Sequence, residues 1–164
     1  MSEVSELEQG ADPVAVAVEN ALRKARAVVL PDALEAVLGC DTIVVLDGVI
    51  YGKPPDAAAA SATLRALGGR THEVISGLAL LLGDSKAGAH ERTAVARTKV
   101  TFRAIDDDLL EWYVGTGEWH GRSGGYAIQG DGSKLALRID GEEENVVGLP
   151  LAVLRDLYPE LLGR

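Results

Sequence analysis

The sequence predicts an α/β fold, a mixed and twisted sheet flanked by helices, and three features carry that prediction. Apolar residues recur at helical spacing directly after the pair Asp12-Pro13. Asp47-Gly48 separates two short apolar, β-branched runs, the pattern of a two-residue hairpin. Helical stretches then alternate with hairpin-joined strands along the chain, so the sheet is expected to be mixed and not purely parallel.

In chain order, Asp12 is placed to cap the first helix, with Pro13 at its first position. Val14, Val18, Ala21, Leu22, Ala25, Val28 and Val29 form its apolar stripe, and Pro31 ends it. Val37 to Leu46 reads as a strand interrupted by Gly39-Cys40-Asp41. Val49–Tyr51 follows across the Asp47-Gly48 turn. Asp56 caps an alanine-rich helix to about Leu67, which Gly68-Gly69 stops. Two strands are expected, one over Thr71 to Leu82 and one over Ala94 to Ala104, with Gly83 to Ala89 as a surface loop between them. In the second, Val100, Phe102 and Ala104 alternate with Lys99, Thr101 and Arg103, which marks one buried face. Asp106 starts a helix through Val114, with Asp107 and Asp108 favourable in its first turn. A glycine-rich stretch runs from Gly115 to Gly132. A strand at Leu135 to Ile139 and a helix from Pro150 to about Tyr158 finish the pattern.

The length of 164 residues suits one domain spanning residues 1–164. A composition of 47% hydrophobic and 25% charged residues is ordinary for a globular protein. No apolar run reaches the length of a membrane span, so no membrane partner is expected. The acidic, polar start at Met1 to Gln9 lacks the basic and apolar regions of a signal peptide. One cysteine, Cys40, excludes an internal disulfide and fits a reducing cytoplasm. The net charge of −9 argues against polymeric nucleic acid as a partner, because that binding rests on neutralising phosphates with Lys and Arg. An acidic protein that binds an anion must gather cations locally or bring in a metal.

Several side chains could carry chemistry. Asp41 lies between Gly39-Cys40 and the apolar run Ile43 to Leu46. A carboxylate so near the core is either hydrogen-bonded or facing a ligand or metal. Lys53 is presented from a loop stiffened by Pro54, although for an isolated Gly-Lys-Pro a solvated loop lysine is the better reading. Arg23, Lys24 and Arg26 form a basic cluster, for which the simple reading is a solvated face balanced by Glu19. Arg70 and His72 follow the Gly68-Gly69 stop, and the three histidines show no zinc-ligand spacing. In Gly121 to Gly130, dense glycine would let backbone N–H groups approach a ligand closely. Gln129 there carries an amide suited to reading a base edge. The stretch matches neither the nucleoside-triphosphate phosphate loop nor the dinucleotide fingerprint.

Taken together and in order, these segments resemble the successive motifs of the Maf (septum-formation) family. They are Asn20-Ala21-Leu22-Arg23-Lys24-Ala25, Gly39-Cys40-Asp41-Thr42, Gly52-Lys53-Pro54, Gly69-Arg70-Thr71-His72-Glu73-Val74, Tyr126-Ala127-Ile128-Gln129-Gly130 and Asn145-Val146-Val147-Gly148-Leu149-Pro150. The resemblance implies the α/β fold shared with inosine-triphosphate pyrophosphatases, with a deep cleft. It implies hydrolysis of a nucleoside triphosphate to monophosphate and pyrophosphate, dependent on a divalent cation, Mg²⁺ or Mn²⁺, in a homodimer. It implies that Asp41 is the proton acceptor and a metal ligand, that Lys24 and Lys53 are catalytic lysines of the cleft, and that Glu6 helps hold the metal. Thr42 and Gln129 stand where base choice is set, and Arg70 and His72 lie in a motif expected to meet substrate. Asp41-Thr42 with Gln129 resembles the subgroup acting on dTTP and UTP, whereas the subgroup acting on methylated guanine nucleotides more often carries Asp-Gln.

Two departures accompany the resemblance. The family's opening strand and its Ser-Pro-Arg-Arg stretch, which brings an arginine to the substrate, have no counterpart here. A chain without them is expected to be less stable, to self-associate more and to turn over poorly. Arg122-Ser123-Gly124 stands where Lys-Ala-Gly is usual, keeping the charge with a different geometry. Two alternatives stay open on the sequence: a family remnant that binds nucleotide or a protein partner without turnover, and an enzyme of the inosine-triphosphate type.

Overall fold

The computed structural model describes residues 12–28, 36–82 and 91–159. Helix α1 (Pro13–Arg26) is followed by strands β1 (Ala36–Leu46) and β2 (Val49–Tyr51), helix α2 (Ala57–Leu67), and strands β3 (Thr71–Leu82) and β4 (Glu91–Phe102). Helix α3 (Asp107–Gly115), two short 3₁₀ turns at Ser123–Gly125 and Asp131–Lys134, strand β5 (Ala136–Asp140) and helices α4 (Glu143–Val147) and α5 (Leu151–Leu157) complete it. The strand order is β2-β1-β3-β4-β5.

The expected α/β class holds, with one refinement to the sheet. Every hydrogen-bonded strand pair among the described residues is antiparallel. β2 and β3 do run in the same direction, since each is antiparallel to β1. β1 lies between them, so the crossover through α2 joins two parallel strands that are not neighbours. The hairpin forms as the sequence predicts, with Asp47 and Gly48 both at positive φ, the geometry that matches strand twist. The Asp12, Asp56 and Asp106 carboxylates each accept a backbone N–H at the start of α1, α2 and α3.

Other boundaries differ from the sequence reading for local reasons. α1 ends at Arg26, and Val28 is half-exposed, so the apolar stripe stops sooner than its spacing suggested. Pro31 and the loop Gly83 to Ala89 lie outside the described residues. The expected break at Gly39-Cys40-Asp41 does not occur, for β1 is continuous through it. Gly39 serves a different purpose. A Cβ there would lie 2.1 Å from the Ala21 carbonyl oxygen. One at Gly77, which faces Asp41 across the β1–β3 pair, would lie 2.4 Å from Ala17. These two glycines, with Ala17, Ala21 and Ala25 every fourth residue of α1, let the helix lie against the sheet backbone.

The sheet is covered on both faces. α1 packs on one, with Val37, Ile43, Ile75, Ala79 and Leu81. The main core fills the other, where Leu64, Leu67, Leu110 and Tyr113 meet Val44, Val74, Val100 and Phe102. β3 is buried on both sides from Val74 to Leu81, which accounts for an apolar run broken there only by the buried Ser76.

Candidate active site

The site follows from the way α1 lies on β1. β2 pairs with β1 only from Val44 to Leu46. Among the described residues no strand continues on that side beyond Val44, so Cys40 to Thr42 border an open cavity of about 590 Å³. Because this is a sheet edge, side chains from both faces of β1 reach the cavity. Asp41 does so on the α1 side and Thr42 on the other, and both line it. The opposite wall is the glycine-rich segment from Gly121 to Gly130, with Lys53 beside it.

Asn20 and Lys24 are one helical turn apart on α1 and converge on Asp41. The Lys24 ammonium sits 2.7 Å from Asp41 Oδ1, and the Asn20 amide donates to Oδ2 at 3.1 Å. Lys24 also donates to the Cys40 carbonyl at 3.3 Å. Both oxygens of a carboxylate that is 15% exposed are therefore engaged, which offsets the cost of partial burial. Asp41 is thus hydrogen-bonded and at the cavity together. Asn20 had not been expected at the site, though its spacing from Lys24 was the signal for it.

The glycine-rich segment is stitched to β1 and to the Lys53 loop. The Gly124 amide donates to the Gly52 carbonyl at 3.0 Å, and the Ser123 hydroxyl donates to the Thr42 carbonyl at 2.8 Å. Gly124 has a positive φ, and a Cβ on it would meet Val44 at 2.7 Å. The Thr42 hydroxyl shares a 2.7 Å hydrogen bond with Ser76. Asn145, fully buried, backs this corner by donating to the Val74 carbonyl and the Thr98 hydroxyl, both at 3.1 Å. Gln129 is exposed on the cavity wall.

Two residues expected to meet substrate lie away from this cavity. Arg70 does not line the cavity, and its guanidinium is ion-paired with Asp47 at the hairpin turn. His72 is buried behind the wall, its Nε2 2.7 Å from the Tyr126 hydroxyl and its ring edge-on to Phe102 and Tyr126. Burial lowers its pKa to about 4, so it is a neutral packing partner of Tyr126. Glu6 lies outside the described residues. The site also contains two side chains that the sequence reading had not assigned to it, Arg122 and Glu118. Burial pushes the Glu118 carboxyl up, but the Asp131 and Gly132 amides, the Tyr113 hydroxyl and the Arg122 guanidinium together hold it below the ordinary glutamate value. Burial likewise raises the Cys40 thiol, so it is not an activated nucleophile; it donates to the Gly148 carbonyl at 3.2 Å.

Lys24, Lys53 and Arg122 thus face one cavity of an otherwise acidic chain, a local gathering of cations suited to a polyphosphate. Among the described residues no group of three or more His, Cys, Asp or Glu side chains could hold a metal. Of the cavity's two carboxylates, Glu118 is committed to protein donors, which leaves Asp41. A single carboxylate combined with substrate phosphates is a donor set that Mg²⁺ commonly accepts, so the residues present fit a cation that arrives with its nucleotide.

Fold and cavity together define an α/β protein with a cavity at a sheet edge lined by Lys24, Lys53 and Arg122. The family model described as Maf-like protein matches residues 1–161, and the chain belongs to that family. It is similar to the dTTP/UTP pyrophosphatase of Pyrococcus furiosus, 42% identical over 143 residues that cover 87% of this chain and 73% of the relative. The dTTP/UTP pyrophosphatase of Symbiobacterium thermophilum is 47% identical over 91% of this chain and 75% of its own length. That of Pyrococcus abyssi is 38% identical over 95% of this chain and 81% of its own. No helix among the described residues is long and apolar enough to cross a membrane.

Proposed function

We propose that this chain hydrolyses dTTP and UTP to the nucleoside monophosphate and pyrophosphate. The observation that carries the reading is the arrangement of Asp41, held by Lys24 and Asn20 at the edge of a cavity whose far wall bears Lys53, Arg122 and Gln129. The relatives' printed activity agrees with it.

In the free protein Lys24 occupies Asp41 Oδ1. An incoming triphosphate offers that ammonium a stronger partner. Transfer of Lys24 to the phosphates frees Oδ1, while Asn20 keeps Oδ2 and the plane of the carboxylate fixed. Asp41 then takes a proton from water as its oxygen bonds to the α-phosphorus. The bond between the α-phosphorus and the oxygen that bridges it to the β-phosphorus breaks, and pyrophosphate leaves with that oxygen and the electron pair. Lys24 and Lys53 stabilise the charge that develops on it. A divalent cation, Mg²⁺ or Mn²⁺, would be held by Asp41 together with the triphosphate, with Glu6 as the second carboxylate that the family resemblance implies, and would offset phosphate charge and acidify the attacking water. Thr42 and Gln129 meet the base, Thr42 held through Ser76 and Gln129 through its loop. The setting we propose is the cytoplasm, and the assembly a homodimer, which sedimentation would check.

The test is a panel of nucleotides with Mg²⁺ or Mn²⁺, assayed for pyrophosphate and orthophosphate separately. The reading expects pyrophosphate from dTTP and UTP, little from purine triphosphates, and none after chelation. Orthophosphate alone would place attack at the terminal phosphorus and sink the proposal. A preference for inosine triphosphate would move the chain to the other enzyme class, and binding without turnover would make it a nucleotide-binding relative.

A further inference from the structure

Glu118 lies on the cavity wall, but its oxygens point into the protein. Oε2 accepts the Asp131 amide at 2.9 Å. Oε1 accepts the Gly132 amide at 2.9 Å and the Tyr113 hydroxyl at 2.9 Å. The Tyr113 hydroxyl in turn accepts the Ala127 amide at 3.1 Å. One carboxylate and one fully buried tyrosine therefore hold three backbone N–H groups, and these bracket Gln129 on both sides. The contact is close enough to dictate the neighbouring sequence. A Cβ on Gly130 would fall 2.4 Å from Glu118 Oε2, and one on Gly132 would fall 2.3 Å from the Ala127 carbonyl oxygen.

We infer that Glu118, through Tyr113 and the amides of Ala127, Asp131 and Gly132, is a positioning residue that fixes the loop bearing Gln129 and so sets base choice. The inference rests on the proposed role of Gln129 in meeting the base. The geometry separates Glu118 from a metal ligand or a general acid. Its two oxygens already take three hydrogen bonds, and every donor is a protein group. Burial also keeps Tyr113 protonated well beyond the ordinary phenol range, so its hydroxyl remains a donor to the carboxylate at any working pH. An amide in place of the carboxylate cannot reproduce this, because its NH₂ must face a backbone N–H.

The experiment compares the wild type with Glu118→Gln, Tyr113→Phe, Gln129→Ala and the double variant Glu118→Gln/Gln129→Ala. Two quantities are read: the ratio of kcat/KM on UTP to that on a purine triphosphate, and amide hydrogen exchange across residues 127–132. Glu118→Gln is expected to lower the ratio about tenfold, the worth of one lost hydrogen bond to a charged group, and to speed exchange at Asp131 and Gly132. Tyr113→Phe, the milder change, should move both in the same direction and keeps the test open if Glu118→Gln fails to fold. The double variant should discriminate no worse than Gln129→Ala alone. An equal loss on every nucleotide, with additive effects in the double variant, would overturn the inference while leaving the role of Gln129 intact. So would a change in the Mg²⁺ concentration needed for half-maximal rate, which would make Glu118 a metal ligand. If Gln129→Ala does not alter the ratio, the base-reading role itself fails. The hold of Glu118 on the loop is then judged on exchange alone: faster exchange in Glu118→Gln supports it, and unchanged exchange overturns it.

Discussion

Asp41 is held by two side chains of one helix, and each contact makes a separable prediction. Asp41→Asn keeps the shape and removes the base, so turnover of dTTP should fall by about two orders of magnitude or more while the melting temperature changes little. Near-normal turnover would remove Asp41 from the mechanism, and unfolding would make its role structural. Asn20→Leu removes only the donor to Oδ2. It should lower kcat more than it raises KM, because it loosens the carboxylate without touching the phosphate contacts; steady-state kinetics on UTP read that split. At this scale the sequence was legible where a residue type is unusual for its surroundings. Asp41 beside a core strand, Lys53 before a proline and Gln129 among glycines all reach the cavity. It was not legible where the partner is distant in the chain. Glu118 meets amides thirteen and fourteen residues away, and no local spacing reports that. Arg70 and His72 were read from a motif, but Asp47 and Tyr126, brought in by the fold, claim them first.

Helix α1 reaches the site because two glycines allow it to lie flat. Gly39→Ala and Gly77→Ala should each displace the helix, since the new Cβ would strike its backbone at 2.1 Å and 2.4 Å, and neither clash can be relieved by a side-chain rotation. A loss of about 1–3 kcal/mol is expected for each, as for overpacking a close-packed core. The same shift carries Asn20 and Lys24 away from Asp41, so activity should fall further than stability alone explains. Thermal melts beside UTP turnover at a temperature where both variants are folded would show it; full activity in a folded variant would contradict it. The helices and strands themselves were legible from caps, alternation and the Asp47-Gly48 turn. At Gly39 the sequence pattern points to an interruption, whereas the strand runs through it. A glycine demanded by close approach and one that breaks a strand look alike until the helix above is placed.

At the scale of the molecule, the ring cluster of His72, Phe102 and Tyr126 joins the sheet to the cavity wall and makes stability depend on pH. His72 is held neutral, its pKa lowered by burial from 6.5 to about 4. Between those values the unfolded chain binds more protons than the folded one. The contribution of His72 is therefore intact above about pH 6.5 and is lost as pH falls toward 4, at up to about 1.4 kcal/mol per pH unit. Melting curves of the wild type and of His72→Gln across that window check this: the wild type should lose stability more steeply, and parallel curves would deny it. The whole-molecule claim, that an edge-of-sheet cavity directs water to the α-phosphorus, has a more direct test. Turnover of dTTP in ¹⁸O-labelled water, followed by mass analysis of both products, reports where the new bond forms. Label is expected in the thymidine monophosphate and none in the pyrophosphate. Label in the pyrophosphate, or release of orthophosphate with the diphosphate left behind, would contradict it.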